Sequence, residues 1–172
     1  MTTRRALVFG ATTLGVLGVD QATKALVRSS MEIGDSRPMI EGLLWLTHVH
    51  NKGAAFGMFQ GQQWLLITIA VVVIAVIAYI ALHLRIESPV ARTALALVAA
   101  GAIGNLIDRA AFGGVTDFFD LGWWPVFNVA DMSLDIGVAL LVWWVLFSSE
   151  HAEKMAVDGA SDDVPEGGAD VG

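Results

Sequence analysis

From Trp64 to Leu84 the chain runs 21 residues without an Asp, Glu, Lys or Arg. A helix of that length extends about 31 Å, enough to cross a hydrocarbon core of roughly 30 Å. Segments 92–111 and 126–147 are long enough to do the same, but one carries Asn105, Asp108 and Arg109 and the other Asn128, Asp131 and Asp135. Those polar groups should face protein or water. The apolar run Ala6–Val19 follows Arg4 and Arg5, as a signal peptide would, but has no small-x-small cleavage site. It is read instead as the first span, continuing to Val27 with Asp20 and Lys24 one turn apart on a single face.

Four spans account for most of the 172 residues, so residues 1–149 are expected to form one transmembrane helical bundle. The formal charge of −7 is misleading. Residues 150–172 hold seven acids against Lys154 alone, contributing −6 and leaving −1 for the body. That segment is expected to be a disordered acidic tail, and the balance gives no reason to expect a nucleic-acid partner. The absence of cysteine excludes disulfides, thiol catalysis and Cys-ligated metal. No internal repeat supports an inverted-repeat transporter.

With an even number of spans both termini share one side, and Asp20, Asn105, Asp108, Asn128 and Asp131 gather toward the other. Arg4, Arg5, Arg85 and Arg92 mark the terminal side as cytoplasmic, while Arg28, Arg37, Lys52 and Arg109 are diluted among acids on the opposite side. The connection between spans one and two is expected to be structured. LLWLTHVHN reads as a strand, Met39 and Ile40 as its short partner, and GAAFGMF as a short helix at the interface.

A carboxylate at membrane depth costs on the order of 3 kcal/mol, so a chain that retains one usually uses it. Asp117 and Asp131 lie 14 positions apart, in the clusters VTDF and FNVAD. On span three, Gly101, Asn105 and Asp108 share a helical face, for which close packing through Gly101 and Gly104 is the competing explanation. Asp20 and Lys24 read as a structural pair. Asn128, Asp131 and Asp135 share a face of span four. Asp135 is expected to be hydrogen-bonded to a neighbouring helix or turned toward a hydrated crevice. His48 and His50 resemble a metal half-site without the remaining ligands.

The ordered series DQATK at 20–24, NKGAAFG at 51–57, GNLIDR at 104–109, VTDF at 115–118 and FNVAD at 127–131 closely resembles the bacterial lipoprotein signal peptidase (signal peptidase II) family, over roughly residues 4–147. The resemblance implies an all-α membrane protein of four transmembrane helices, with a small extracytoplasmic β element and a short interfacial helix between helices 1 and 2. It also implies an aspartic endopeptidase of the bacterial inner membrane, active toward the extracytoplasmic face. Such an enzyme removes the signal peptide from a diacylglyceryl-modified prolipoprotein by cleaving before the lipidated cysteine. Asp117 and Asp131 fall on the catalytic positions. Asn51, Gly53, Asn105, Arg109 and Asn128 fall on positions that line or support the substrate pocket, with Asp20, Lys24 and Asp108 supporting. No metal or cofactor is implied, and the expected partners are the lipid-modified substrate and membrane lipid, with the enzyme a monomer. Ala100, Leu134 and Asp135 depart from the family pattern. Without the resemblance, intramembrane carboxylates serve equally well in a proton-coupled transport or channel subunit, or the glycines in an assembly factor.

Overall fold

The computed structural model describes residues 3–84 and 86–161. Four helices dominate it: α1 (Thr3–Ser30), α2 (Gln63–His83), α3 (Pro89–Phe112) and α4 (Val129–Ser161). Among the described residues these are the helices long and apolar enough to cross a membrane, with Val129–Phe147 the apolar part of α4. Beyond Phe147, α4 continues to Ser161, past the boundary at 149 that composition suggested. Glu, Ala, Lys and Met in this stretch are good helix formers, which the composition-based reading of the tail did not weigh. Residues 162–172 lie outside the described residues.

The bundle is organised around α3, which packs against α1, α2 and α4. Ser88 caps it, its Oγ accepting from the Ala91 N–H, and Pro89 follows in the first turn, where a missing N–H costs nothing. Gly113 ends it in the left-handed conformation at φ 72°. Its buried face is mainly Ala and Gly, so neighbouring backbones approach closely. A Cβ on Gly101 would collide with the Ala130 carbonyl, the Ser133 hydroxyl and Leu134, and one on Gly104 with the Asp20 carboxylate. The packing explanation holds for both glycines.

On α1 the buried positions are Thr13, Asp20, Lys24 and Val27, a mostly polar stripe turned inward, while Leu7, Leu14 and Leu26 are exposed. That inversion of the soluble-protein pattern suits a lipid surround, which imposes no cost on outward apolar side chains.

Beyond the end of the bundle lies an antiparallel sheet in the order β1 (Ser36–Ile40), β2 (Leu44–Asn51), β3 (Val115–Asp120). The two strands expected before α2 are present. The third, β3, was not foreseen, and it matters most, because it pairs Val49 with Asp117 and Asn51 with Val115. Val27, Met31 and Phe118 form the apolar seat beneath the sheet. The expected interfacial helix is only one 3-10 turn, Ala55–Gly57. Positive φ at Phe56, Gly57, Phe59 and Gly61 prevents a longer helix.

Candidate active site

The start of α4 is built by the sequence FNVAD itself. The Asn128 Oδ1 accepts from the Asp131 N–H at 2.9 Å, and the Asp131 Oδ2 accepts from the Asn128 N–H at 3.2 Å. This is a reciprocal capping box in Asn-x-x-Asp form, with a carboxylate at the positive end of the helix dipole. The chain enters it from a backbone bridge between Phe119 and Phe127, which folds the 120–126 loop back on β3. Asp131 is thus fixed by the same contacts that start its helix.

Asp117 comes from β3, on the other side of the same space. Its Oδ1 accepts from the Asn128 Nδ2 at 2.6 Å and its Oδ2 from the Asn51 Nδ2 at 2.9 Å. The remaining Asp131 oxygen, Oδ1, accepts from the Asn105 Nδ2 at 2.8 Å. Every carboxylate oxygen of the two aspartates therefore holds an amide N–H, three from asparagine side chains and one from backbone. Burial pushes the Asp117 carboxyl up to about 7, and the neighbouring Asp131 charge adds to the rise against the opposing pull of the Asn51 and Asn128 amides and Lys24.

Both aspartates line one cavity of about 310 Å³, together with Asn51, Asn105 and Arg109. Its remaining wall is largely apolar, from Leu66, Ile69, Ala70 and Val73 on α2 to Ala102 on α3 and Leu134 on α4. Arg109 reaches the Gly53 carbonyl at 3.4 Å through Nη2, while its buried Nε has no partner among the described residues. Gly53 is needed for space. Its N–H donates to the Asn51 Oδ1 at 2.9 Å, and a Cβ there would lie 2.6 Å from the Met58 carbonyl.

Behind the two aspartates a charged cluster ties α1 to α3, α4 and β3. Lys24, fully buried, pairs with Asp20 at 3.0 Å and Asp108 at 3.8 Å. Asp20 also accepts the Ala130 N–H at 2.9 Å, and Asp108 the Thr116 N–H at 2.9 Å. Asp108 therefore anchors the strand that carries Asp117, rather than facing the cavity.

The motif arrangement and this geometry agree with the comparisons to known proteins. Residues 12–147 match the family described as signal peptidase (SPase) II. The lipoprotein signal peptidase of Syntrophomonas wolfei is 44% identical over 149 residues, which is 86% of this chain and 99% of that protein. The one from Geobacter sulfurreducens is 45% identical over 141 residues, covering 78% and 88%. A bacterial membrane enzyme solved by the in meso method at 2.3 Å resolution superposes with a TM-score of 0.80 at 32% identity, over 84% of this chain and 90% of that one. This chain belongs to the signal peptidase II family. As a member of that family it is a protease of bacterial membranes.

Of the residues singled out in this signal peptidase II sequence, Asp117, Asp131, Asn51, Asn105 and Arg109 come together on the cavity wall. Asn128 bridges the two aspartates, and Gly53 holds the Asn51 turn. Asp20, Lys24 and Asp108 stand behind them. Asp135 does not join them. Its side chain is exposed and, among the described residues, makes no hydrogen bond to a neighbouring helix. It lies one turn, about 6 Å, further along α4 than Asp131, beyond the amides that hold the start of the helix. His48 is buried, with Nδ1 3.0 Å from the Met31 carbonyl, and serves the sheet's seat.

Sequence reasoning overlooked Arg28, treated only as a loop charge. Its guanidinium touches Asp108 at 3.4 Å and the Thr116 hydroxyl at 3.0 Å, and lies over the Phe112 ring. The signal was available, since Arg28 follows Lys24 by four residues on the same stripe. Gln21, which donates to Asp20, Asp108 and the Gly104 carbonyl, gave no such signal.

Proposed function

We propose that this protein removes signal peptides from prolipoproteins as an aspartic endopeptidase, with Asp117 and Asp131 as the reacting pair and the peptide bond before a diacylglyceryl-modified cysteine as its target. One observation carries the catalytic assignment: two carboxyl groups from different elements face a single membrane-level cavity, with all four oxygens held by amides.

Two neighbouring carboxyls do not ionise independently, so at working pH the pair holds one proton between them. The ionised member takes a proton from a water, whose oxygen adds to the scissile carbonyl carbon. The protonated member gives its proton to the carbonyl oxygen. Collapse of the tetrahedral diol takes a proton from the dyad onto the amide nitrogen, breaks the C–N bond and returns a diol proton to the dyad. This leaves a carboxylic acid on the signal peptide and a free amine on the lipidated cysteine, with the pair again holding one proton. Amides that already hold the carboxylates reduce the reorganisation needed as charge moves. Arg109, beside the Gly53 carbonyl, has N–H groups to offer a substrate backbone carbonyl.

The outward apolar faces of the helices, with Leu7, Leu14 and Leu26 exposed on α1, suit a covering of membrane lipid. The extracytoplasmic placement is supported by Arg4, Arg5 and Arg92, which lie toward the opposite end of the bundle. Because the chain lacks cysteine, Glu41→Cys on the exposed hairpin tests this directly. It should react with an impermeant maleimide on spheroplasts, and labelling only after lysis would reverse the orientation. For the chemistry, purified protein in detergent should cleave a diacylglyceryl-modified peptide, and Asp117→Asn and Asp131→Asn should each reduce turnover by at least about 10³-fold while remaining folded. Substantial turnover by either variant defeats the assignment.

A further inference from the structure

The amide of Asn105 has two possible orientations, and only one of them serves Asp131. In the structure its Oδ1 accepts from the Lys24 Nζ at 2.9 Å and from the Asn128 Nδ2 at 3.2 Å, leaving Nδ2 to donate to the Asp131 Oδ1 at 2.8 Å. Turning the amide over would set its NH₂ against an ammonium and a second amide NH₂, and its oxygen against a carboxylate. Three favourable contacts would become three repulsive ones.

We propose that Lys24 is a positioning residue for the hydrolysis: its buried ammonium locks the Asn105 amide in one orientation and so aims an N–H at Asp131. This rests on Asp117 and Asp131 being the reacting pair, and it gives Lys24 a role beyond the structural pairing with Asp20. Lys24 has no exposed surface, and its three protons are directed to Asp20, Asn105 and the Asp108 side. The ammonium is thereby prevented from leaving the Asn105 oxygen. The charges around it are Asp20 on α1 and Asp108 on α3, the latter shared with Arg28, and beyond Asn105 lie Asp131 on α4, Asp117 on β3 and Arg109 on α3. Electrostatically, Lys24 also favours the ionised form of Asp117.

A purely structural lysine and a positioning lysine differ in what they do to turnover. Lys24→Met keeps most of the stem and removes the charge. It should lower kcat at least about tenfold, leave KM within roughly threefold, and move the acid limb of the rate profile to higher pH, since a cation that favoured ionisation is gone. In an Asn105→Ala background the same substitution should cost less than about twofold, because the group it orients is already absent. Parent-like kcat and pH profile in Lys24→Met, or losses that simply multiply in the double variant, would overturn the proposal. If Lys24→Met fails to fold, Asn105→Asp decides. Its carboxylate still accepts from Lys24 but has no N–H for Asp131, so a folded protein with kcat reduced at least about tenfold is expected, and parent-like kcat overturns the inference. Asp131→Asn run in parallel separates the two levels. An active Asp131→Asn removes the reacting pair itself, whereas an inactive one beside a parent-like Lys24→Met removes only the role given to Lys24.

Discussion

Asn128 does the work of three residues because an amide is both donor and acceptor. Its oxygen starts α4, its Nδ2 holds Asp117, and the same NH₂ reaches Asn105. Aspartate could form the cap but could not donate, and alanine could do neither. Asp117, held this way, is also the residue whose ionisation folding changes most clearly. In an unfolded chain its carboxyl would titrate near 3.8, and burial beside Asp131 raises this to about 7. A carboxyl raised on folding contributes stability that is fully present below its unfolded value and is lost as pH rises through the folded one. The parent protein should therefore lose stability between about pH 4 and pH 7, while Asp117→Asn, which cannot ionise, should lack that part of the slope. Thermal unfolding in detergent from pH 5 to pH 8 measures the difference. The Tm of the parent should fall by roughly 5 °C more than that of the variant, and parallel curves would show that Asp117 is not buried beside a second charge.

At the scale of elements, the seam between α3 and α4 sets where Asp131 stands relative to Asn105. Gly101 lets the backbone of α4 approach at Ala130, one residue before Asp131, and Gly137 does the same further along against Val98. Gly101→Ala must push the helices apart, and an overpacked contact of this kind costs typically 1–3 kcal/mol, about the range expected here. Gly15→Ala on the exposed face of α1 meets nothing within 4 Å and should be neutral or slightly stabilising. Unfolding of both in the same detergent tests the seam, and equal stability of the two variants would dismiss it. The long helices and the small-residue seam were legible in the sequence because length and repeated spacing are local signals. Strand β3 was not. VTDFFD buries its first four residues in succession, so it lacks the alternation that marks a half-buried strand, and its existence depends on β2, more than sixty positions earlier. The two aspartates were legible from their motifs, but the amide network was not, since no spacing tells which oxygen an asparagine will serve. Asp135 shows the converse. A spacing of four put it on the face of Asp131, yet it stands a turn further along α4, exposed and outside the amide network.

Across the whole molecule, the cavity has a chemical direction. Its polar end, with Asp117, Asp131, Asn105 and Arg109, lies where the bundle meets the sheet, and its apolar end runs down α2 along Leu66, Ile69, Ala70 and Val73. Among the described residues α2 packs on α3, and α4 packs on α3 and α1, but α2 and α4 are not packed along their lengths. The space between them therefore faces the surrounding lipid. A substrate that is itself lipid-anchored can bring its peptide to the carboxyls from the side, with acyl chains against α2 and α4 and the cysteine held at the membrane surface. Acyl chain burial is worth about 0.8 kcal/mol per CH₂, so even a few methylenes seated in this way could change affinity by orders of magnitude. We therefore expect a diacylglyceryl-modified peptide to exceed its unmodified counterpart by at least about 100-fold in kcat/KM, mostly through KM. A polar substitution at Ile69, midway along the apolar wall, should narrow that ratio by weakening the modified substrate alone. Purified parent and Ile69→Asn proteins assayed with both peptides give the answer. Equal turnover of the two peptides by the parent would mean that recognition lies in the peptide, and a ratio unchanged by Ile69→Asn would place the acyl chains elsewhere on the bundle.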